Sequence, residues 1–287
     1  MFEVFKNRLE IIGTLVTVTA LRIGAGRSTE PIGSDLPVIK DALGRPLIPG
    51  STFKGALRSR LESFLRGIDS QLAEDPANFT NAERNKQVKE FKEQYENDDI
   101  GLTQALLGIT DEVSRLFGSP WIASKFQVRD LTVPADAWFG QYQERDGVAI
   151  DRDTETAAEG KLYDFQVVPA GTPFEFRAVV ENAEEWELGL LMIGLHQFKS
   201  EQIPLGGGRS RGLGVVRLEI DKMRWVDVEN KPEFLLEYLQ KLVMEDATAY
   251  EDAREYEDHW VRQLLNYLRS KISQPDSNVI TESKVEQ

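Results

Sequence analysis

The stretch Pro37-Val-Ile-Lys-Asp-Ala-Leu-Gly-Arg-Pro-Leu-Ile-Pro-Gly-Ser-Thr-Phe-Lys-Gly-Ala-Leu-Arg-Ser-Arg-Leu-Glu62 changes its structural period halfway along. Val38 to Asp41 and Arg45 to Ile48 read as two short extended runs around the turn Ala42-Leu43-Gly44. Pro49-Gly50-Ser51 then breaks the chain and offers Ser51 as a helix N-cap. From there Phe53, Leu57, Leu61, Phe64 and Leu65 recur at helical spacing, which predicts a helix over residues 51–66 with one buried stripe.

Upstream, Val16, Val18 and Ala20 alternate with Thr17 and Thr19, the pattern of a half-buried strand over 14–20. Downstream, Phe126–Leu131 and Phe174–Ala178 alternate as strands, Trp186, Leu190, Ile193 and Gln197 recur as a helix, and Val216, Leu218 and Ile220 alternate as a last strand. Strand, helix, strand, strand, helix, strand is the order of a ferredoxin-like βαββαβ unit, so the expected class is α+β. Residues 67–110 are charged and weakly apolar and read as an insertion; Gly140 to Gly160 reads as an exposed arm. After Pro232, Phe234, Tyr238 and Leu242, then Trp260, Leu264, Leu265 and Leu268, predict a pair of C-terminal helices, with a loose tail from Gln274. The expected organisation is one core over 1–227, holding the 67–110 insertion and an arm at 140–162, and a helical extension over 228–287.

The 287 residues carry 34 Lys plus Arg against 48 Asp plus Glu, a net charge of −14, which on its face argues against a polyanion partner. The charge is unevenly spread. Residues 1–66 sum to +4, while 67–110, 111–227 and 228–287 sum to −5, −7 and −6. With a screening length of about 8 Å, a basic surface acts locally whatever the total. The absence of cysteine excludes disulfide staples, a thiol nucleophile and Cys-ligated zinc. His196 and His259 lack a second histidine at ligand spacing and read as core or surface residues. The charged N-terminus does not resemble a signal peptide, and no window approaches the length of a membrane span, so a cytoplasmic protein is expected.

Three places carry chemistry. Gly206-Gly207-Gly208-Arg209-Ser210-Arg211-Gly212-Leu213-Gly214 packs five glycines and two arginines into nine residues. Such a segment lets backbone amides and guanidinium forks approach anionic oxygens, or it is a plain connector. It fails the dinucleotide fingerprint, because it follows a helix and enters a strand. Lys54 and Arg58, at i and i+4 beyond Ser51 and Thr52, make a basic helix face near a helix N-terminus, which suits phosphate but is also an ordinary solvated face. Asp35, in the loop Pro31–Pro37, is a turn residue or a carboxylate that takes a proton or holds a divalent ion.

Pro37 to Glu62, preceded by Leu21-Arg22-Ile23-Gly24-Ala25-Gly26, resembles the RAMP superfamily of CRISPR-associated proteins, in particular the Csm/Cmr-like backbone subunits of type III effector complexes, with subtype III-D as one reading. The resemblance continues through Ser114–Gly118, Ile150-Asp151-Arg152, Leu162-Tyr163-Asp164 and the loop Gly206–Gly214, covering roughly residues 10–222. It implies a modified RNA-recognition fold that assembles head to tail along a guide crRNA, with other RAMP subunits and a large polymerase-like subunit as neighbours and no membrane. It implies that Ser51, Thr52, Lys54, Arg58, Gly206, Gly207, Gly208, Arg209, Ser210 and Arg211 hold guide phosphates and that residues 140–162 form a thumb. It further implies that Asp35 serves cleavage of complementary target RNA with Mg2+ or another divalent cation; no zinc is expected, because the chain lacks the Cys/His cluster of some backbone subunits. Two other readings stay open: a non-catalytic RNA scaffold, and a protein–protein adaptor working through the acidic helices. Visible RNP-type aromatics are missing from the expected strands, which fits phosphate and shape recognition.

Overall fold

The computed structural model describes residues 4–26, 36–150 and 157–272. Its first strand, β1 (Asn7–Thr17), alternates strictly between buried and half-buried positions. Leu9, Ile11 and Leu15 are fully buried on one face, while Arg8, Glu10 and Ile12 lie on the other. The strand starts before the expected Thr14 because Arg8 and Glu10, which look like loop charges in sequence, occupy its open face. A short β2 (Leu47–Ile48) then leads into α1 (Gly50–Ile68).

The insertion forms α2 (Ala82–Gln94), which buries no residue, and α3 (Asp99–Gly108), followed by α4 (Glu112–Phe117). Phe79 ties it down, packing edge-on to Trp121 at 5.5 Å. Next come β3 (Phe126–Val128), β4 (Leu131–Thr132), and an antiparallel two-stranded arm of β5 (Gln143–Ile150) and β6 (Ala157–Val167). β7 (Pro173–Glu181), α5 (Glu185–Lys199) and β8 (Val216–Asp227) complete the core.

The main sheet runs β3-β7-β1-β8-β9, every neighbour antiparallel, where β9 is Glu251–Asp252. α1 and α5 cover one face. Phe53, Leu57, Leu61 and Leu65 of α1 meet Leu188, Leu191, Leu195 and Phe198 of α5 in the main core, and Phe53 stacks on Phe198 at 4.3 Å. Each such fully buried side chain contributes about 1.5–3 kcal/mol of transfer free energy. The second face stays open to solvent at its centre.

The two C-terminal helices find their main packing in different places. α6 (Pro232–Val243) buries only Tyr238, which stacks on Phe5 at 5.6 Å. α7 (Glu257–Ile272) instead joins the main core: Trp260, edge-on to Trp225 at 5.2 Å, packs there with Leu264 and Leu268. The shared 3.6 period explains the expectation, since periodicity fixes which face of a helix is buried but not what buries it. Among the described residues no helix is long and apolar enough to cross a membrane.

Candidate nucleic-acid interface

α1 starts one residue before the expected cap. Gly50 is its first residue, and its N–H donates to Asp130 Oδ1 at 2.8 Å, so the cap comes from the β3–β4 connection rather than from Ser51. Only glycine fits there, because a Cβ would sit 2.5 Å from the Val128 carbonyl oxygen. Ser51 is thereby freed from capping. The carboxylate of Asp130 also occupies the favourable end of the helix dipole, which weakens that end as a phosphate site.

Beyond this cap, Ser51, Thr52, Gly55, Ala56, Ser59 and Ser63 make a smooth, small-residue face on α1, opposite the Phe53 stripe. The glycine-rich loop stands across from it. Together they line a groove of about 510 Å³, with Arg60, Gly206 and Arg209 among its walls. Arg60 Nη2 donates to the Gln202 carbonyl at 3.4 Å and its guanidinium lies 5.1 Å from the Phe64 ring centroid, while Nε has no partner among the described residues. Arg209 Nε donates to the Gly206 carbonyl at 3.1 Å and remains exposed.

The loop is built, not slack. Leu205 N–H donates to Gly214 O, Gly214 N–H to Ala20 O, and Gly207 N–H to Arg22 O, all at 2.8–2.9 Å. Arg209-Ser210-Arg211 forms a single 3₁₀ turn between two left-handed glycines, Gly208 and Gly212. The segment is thus an ordered turn that leaves Arg209, Ser210 and Arg211 exposed. Gly206, Gly207 and Gly208 supply its backbone bends.

Lys54 and Arg58 depart from the outer face assigned to them. Arg58 donates to Glu62, to the Gly118 carbonyl and to Ser114 Oγ at 2.8–3.0 Å, so its fork clamps α1 to α4. Lys54 Nζ donates to Ser124 Oγ at 2.6 Å and to the Phe126 carbonyl at 3.1 Å. Burial, aided by the neighbouring Arg58, pulls its pKa down to about 8. The unfolded chain holds that proton up to the ordinary lysine range, so the folded state binds fewer protons between about pH 8 and 10.5 and stability rises with pH across that window. Relative to Lys54→Met, the native protein is expected to gain about 1 kcal/mol from pH 7.5 to pH 9.5, after discounting for Lys54's partial exposure. Urea midpoints at the two pH values measure it, and parallel curves would refute the assignment.

At the base of the arm, Phe165 and Val167 pack with Ala20 and Leu213. Arg22 lies 5.1 Å from the Phe165 ring centroid with its Nε unpartnered among the described residues, and Arg211 Nη1 donates to the Tyr163 hydroxyl at 3.2 Å. Gln166 N–H donates to the Leu36 carbonyl at 3.1 Å, which ties the chain at Leu36 to the arm. Asp35 lies outside the described residues. Among the described residues no group of three or more His, Asp or Glu side chains is placed to hold a metal ion. His259 meets Glu185 at 2.9 Å on the surface, consistent with a surface role.

Sequence reasoning missed Arg60, Arg22, Gly55, Ser59 and Ser63. A signal existed: Ser51, Gly55, Ser59 and Ser63 repeat every fourth residue, the spacing of one helix face kept free of bulk.

A family model described as the RAMP superfamily matches residues 14–217. The chain is similar to the CRISPR system Cms endoribonuclease Csm3 of Enterococcus italicus, 26% identical over 219 residues, covering 76% of this chain and 92% of that protein. It is 27% identical over 229 residues to the protein of the same name from Methanocaldococcus jannaschii, covering 76% and 81%. The Streptococcus thermophilus protein of that name is 28% identical over 207 residues, covering 70% and 82%.

Proposed function

The chain belongs to the RAMP superfamily, and from that premise we propose that it is a guide-RNA-binding backbone subunit of a type III CRISPR effector complex that cuts complementary target RNA. The observation that carries this reading is the convergence of the small polar face of α1 and the glycine–arginine loop on one groove, with Arg60 and Arg209 in its walls. Small side chains let a sugar–phosphate backbone come close, and the arginines supply forked donors for its oxygens. The similarity to proteins named Csm3 endoribonucleases supports the enzymatic part. The finer architectural reading, a ferredoxin-like core, has its support in the spatial order β3-β7-β1-β8 of strands that follow a βαββαβ chain order.

In the proposed reaction the 2′-hydroxyl of the target RNA attacks the adjacent phosphorus. A P–O bond forms, the bond to the 5′-oxygen of the next nucleotide breaks, the leaving 5′-oxygen takes a proton from water, and the products end in a 2′,3′-cyclic phosphate and a 5′-hydroxyl. Asp35 takes the 2′-hydroxyl proton. Mg2+ or another divalent cation is proposed to assist this cleavage, as the resemblance to the family implies.

One experiment separates the readings. In the assembled complex with labelled target RNA, Asp35→Ala is expected to lower cutting beside this subunit by at least about 100-fold, the usual range for a lost acid–base group, with the guide retained. Replacing both Arg60 and Arg209 with alanine is expected to weaken guide retention and flatten its salt dependence. Omitting Mg2+ and adding a chelator tests the cation. Unchanged cutting leaves the non-catalytic scaffold; unchanged retention in the arginine variant favours the protein–protein adaptor.

A further inference from the structure

We infer that the open face of the sheet, on the side away from α1 and α5, carries a second contact for an RNA strand through Arg129, Arg177 and Lys222. The inference rests on the RNA-binding reading above and adds a site to it. In register, Val128 of β3 lies opposite Ala178 of β7, and one step on, Arg129 N–H donates to the Arg177 carbonyl at 3.1 Å. Arg177 lies opposite Ile12 of β1, and Ile12 opposite Lys222 of β8. The three cations therefore form one transverse row across four strands, with Ile12 between them.

Each of the three is exposed, and among the described residues none of their side chains has a hydrogen-bond or ion-pair partner. Several neighbouring carboxylates are already engaged, although Asp221, exposed next to Lys222, is not among them. Glu10 is held by Arg8 at 2.9 Å and Arg224 at 2.5 Å, Glu181 by Arg8 at 2.5 Å, and Glu219 by Arg217 at 3.0 Å. Glu175, exposed two residues from Arg177, bounds the row. Like charges directly opposite one another on adjacent strands destabilise a sheet, so folding alone gives no reason for Arg129 to face Arg177.

Arg129 and Arg177 line a groove of about 460 Å³ with Arg8, Ile12, Gln127 and Val179. At about 4.8 Å per strand the row is about 14 Å wide, enough to meet more than one phosphate. Ile12 and Val179 offer too little apolar area for the core of a protein interface, and the row holds no aromatic ring to stack a base. Phosphates, bound without regard to sequence, fit it best.

The test uses the full-length protein and a fluorescein-labelled single-stranded RNA of mixed sequence, with affinity read by anisotropy across a salt series. The variant Arg129→Gln with Arg177→Gln is expected to bind about fivefold to tenfold more weakly near 0.1 M salt. Its slope of log affinity against log salt is expected to fall by about 1.4, two contacts at 0.7 each. A fold control by thermal unfolding accompanies it. Unchanged affinity and slope in this variant, with loss in the Arg60→Ala, Arg209→Ala variant, overturns this inference and leaves the proposed function standing. Unchanged binding in both variants overturns the RNA reading itself. A variant that keeps RNA but loses a polyglutamate peptide assigns the face to an acidic protein and also overturns the inference.

Discussion

Glu187→Ala is expected to destabilise the fold by about 3–5 kcal/mol, a fall in thermal midpoint on the order of 10 °C for a chain of this size. Lys125 Nζ lies 2.7 and 2.5 Å from the two Glu187 carboxylate oxygens, and the two side chains are only 8% and 1% exposed. Glu187 Oε2 also accepts the Glu184 N–H at 2.7 Å, closing a capping box at the start of α5. Truncation thus leaves an ammonium without its counter-charge and a helix amide without its acceptor. Both sit where β3 meets α5. Lys125→Ala is expected to cost a similar amount for the mirror reason, a buried carboxylate stranded.

The double replacement Lys125→Met with Glu187→Leu separates the value of the pair from the penalty of breaking it. Two apolar side chains of similar size remove both desolvation costs, so the double variant is expected to be more stable than either single truncation. Urea unfolding of the four proteins provides the cycle. Single truncations costing under about 1 kcal/mol would mean that water reaches the pair, and the burial argument would fail.

This pair marks where sequence reasoning stopped. Lys125 stands in sequence like any surface lysine before a short strand, and Glu187 like a first-turn helix acid. Their pairing spans 62 residues and depends on β3 and β7 lying side by side. What was legible was local: the buried stripes of α1 and α5, the alternation of β7 and β8, and the arm. The site divides in the same way. Glycines and arginines in the 206–214 loop announced themselves by density, whereas Arg60 looked like one more helix-surface cation until the loop was placed opposite it. Lys54 and Arg58 were misplaced because helix spacing says which residues share a face but not that α4 and β3 cover that face. The −14 total, too, averages over segments and hides the cations gathered along the groove and the open sheet face.

Gly206→Ala is expected to dismantle the loop side of the groove. Its φ of +74° is a region where a side chain costs about 1–2 kcal/mol, and its new Cβ would lie 2.1 Å from the Arg22 carbonyl oxygen. That oxygen belongs to rigid backbone and already accepts Gly207 N–H at 2.8 Å, so the loop must move and the bond must break. A further loss of about 1 kcal/mol follows. Because Arg209 hangs from Gly206 through its own Nε bond at 3.1 Å, the displacement carries the arginine with it. RNA affinity is expected to fall at least about tenfold, equivalent to 1.4 kcal/mol. Two neighbours isolate the cause. Gly212→Ala shares the positive φ, +80°, but meets open space, so only about 1 kcal/mol of strain is expected. Gly207→Ala has neither strain nor clash and is expected to stay within about 0.5 kcal/mol of the native protein. Thermal midpoints and RNA anisotropy on the three variants should rank Gly206, Gly212, Gly207 in order of damage. Equal behaviour of Gly206→Ala and Gly207→Ala would show that contact with the Arg22 carbonyl does not hold the loop against the groove.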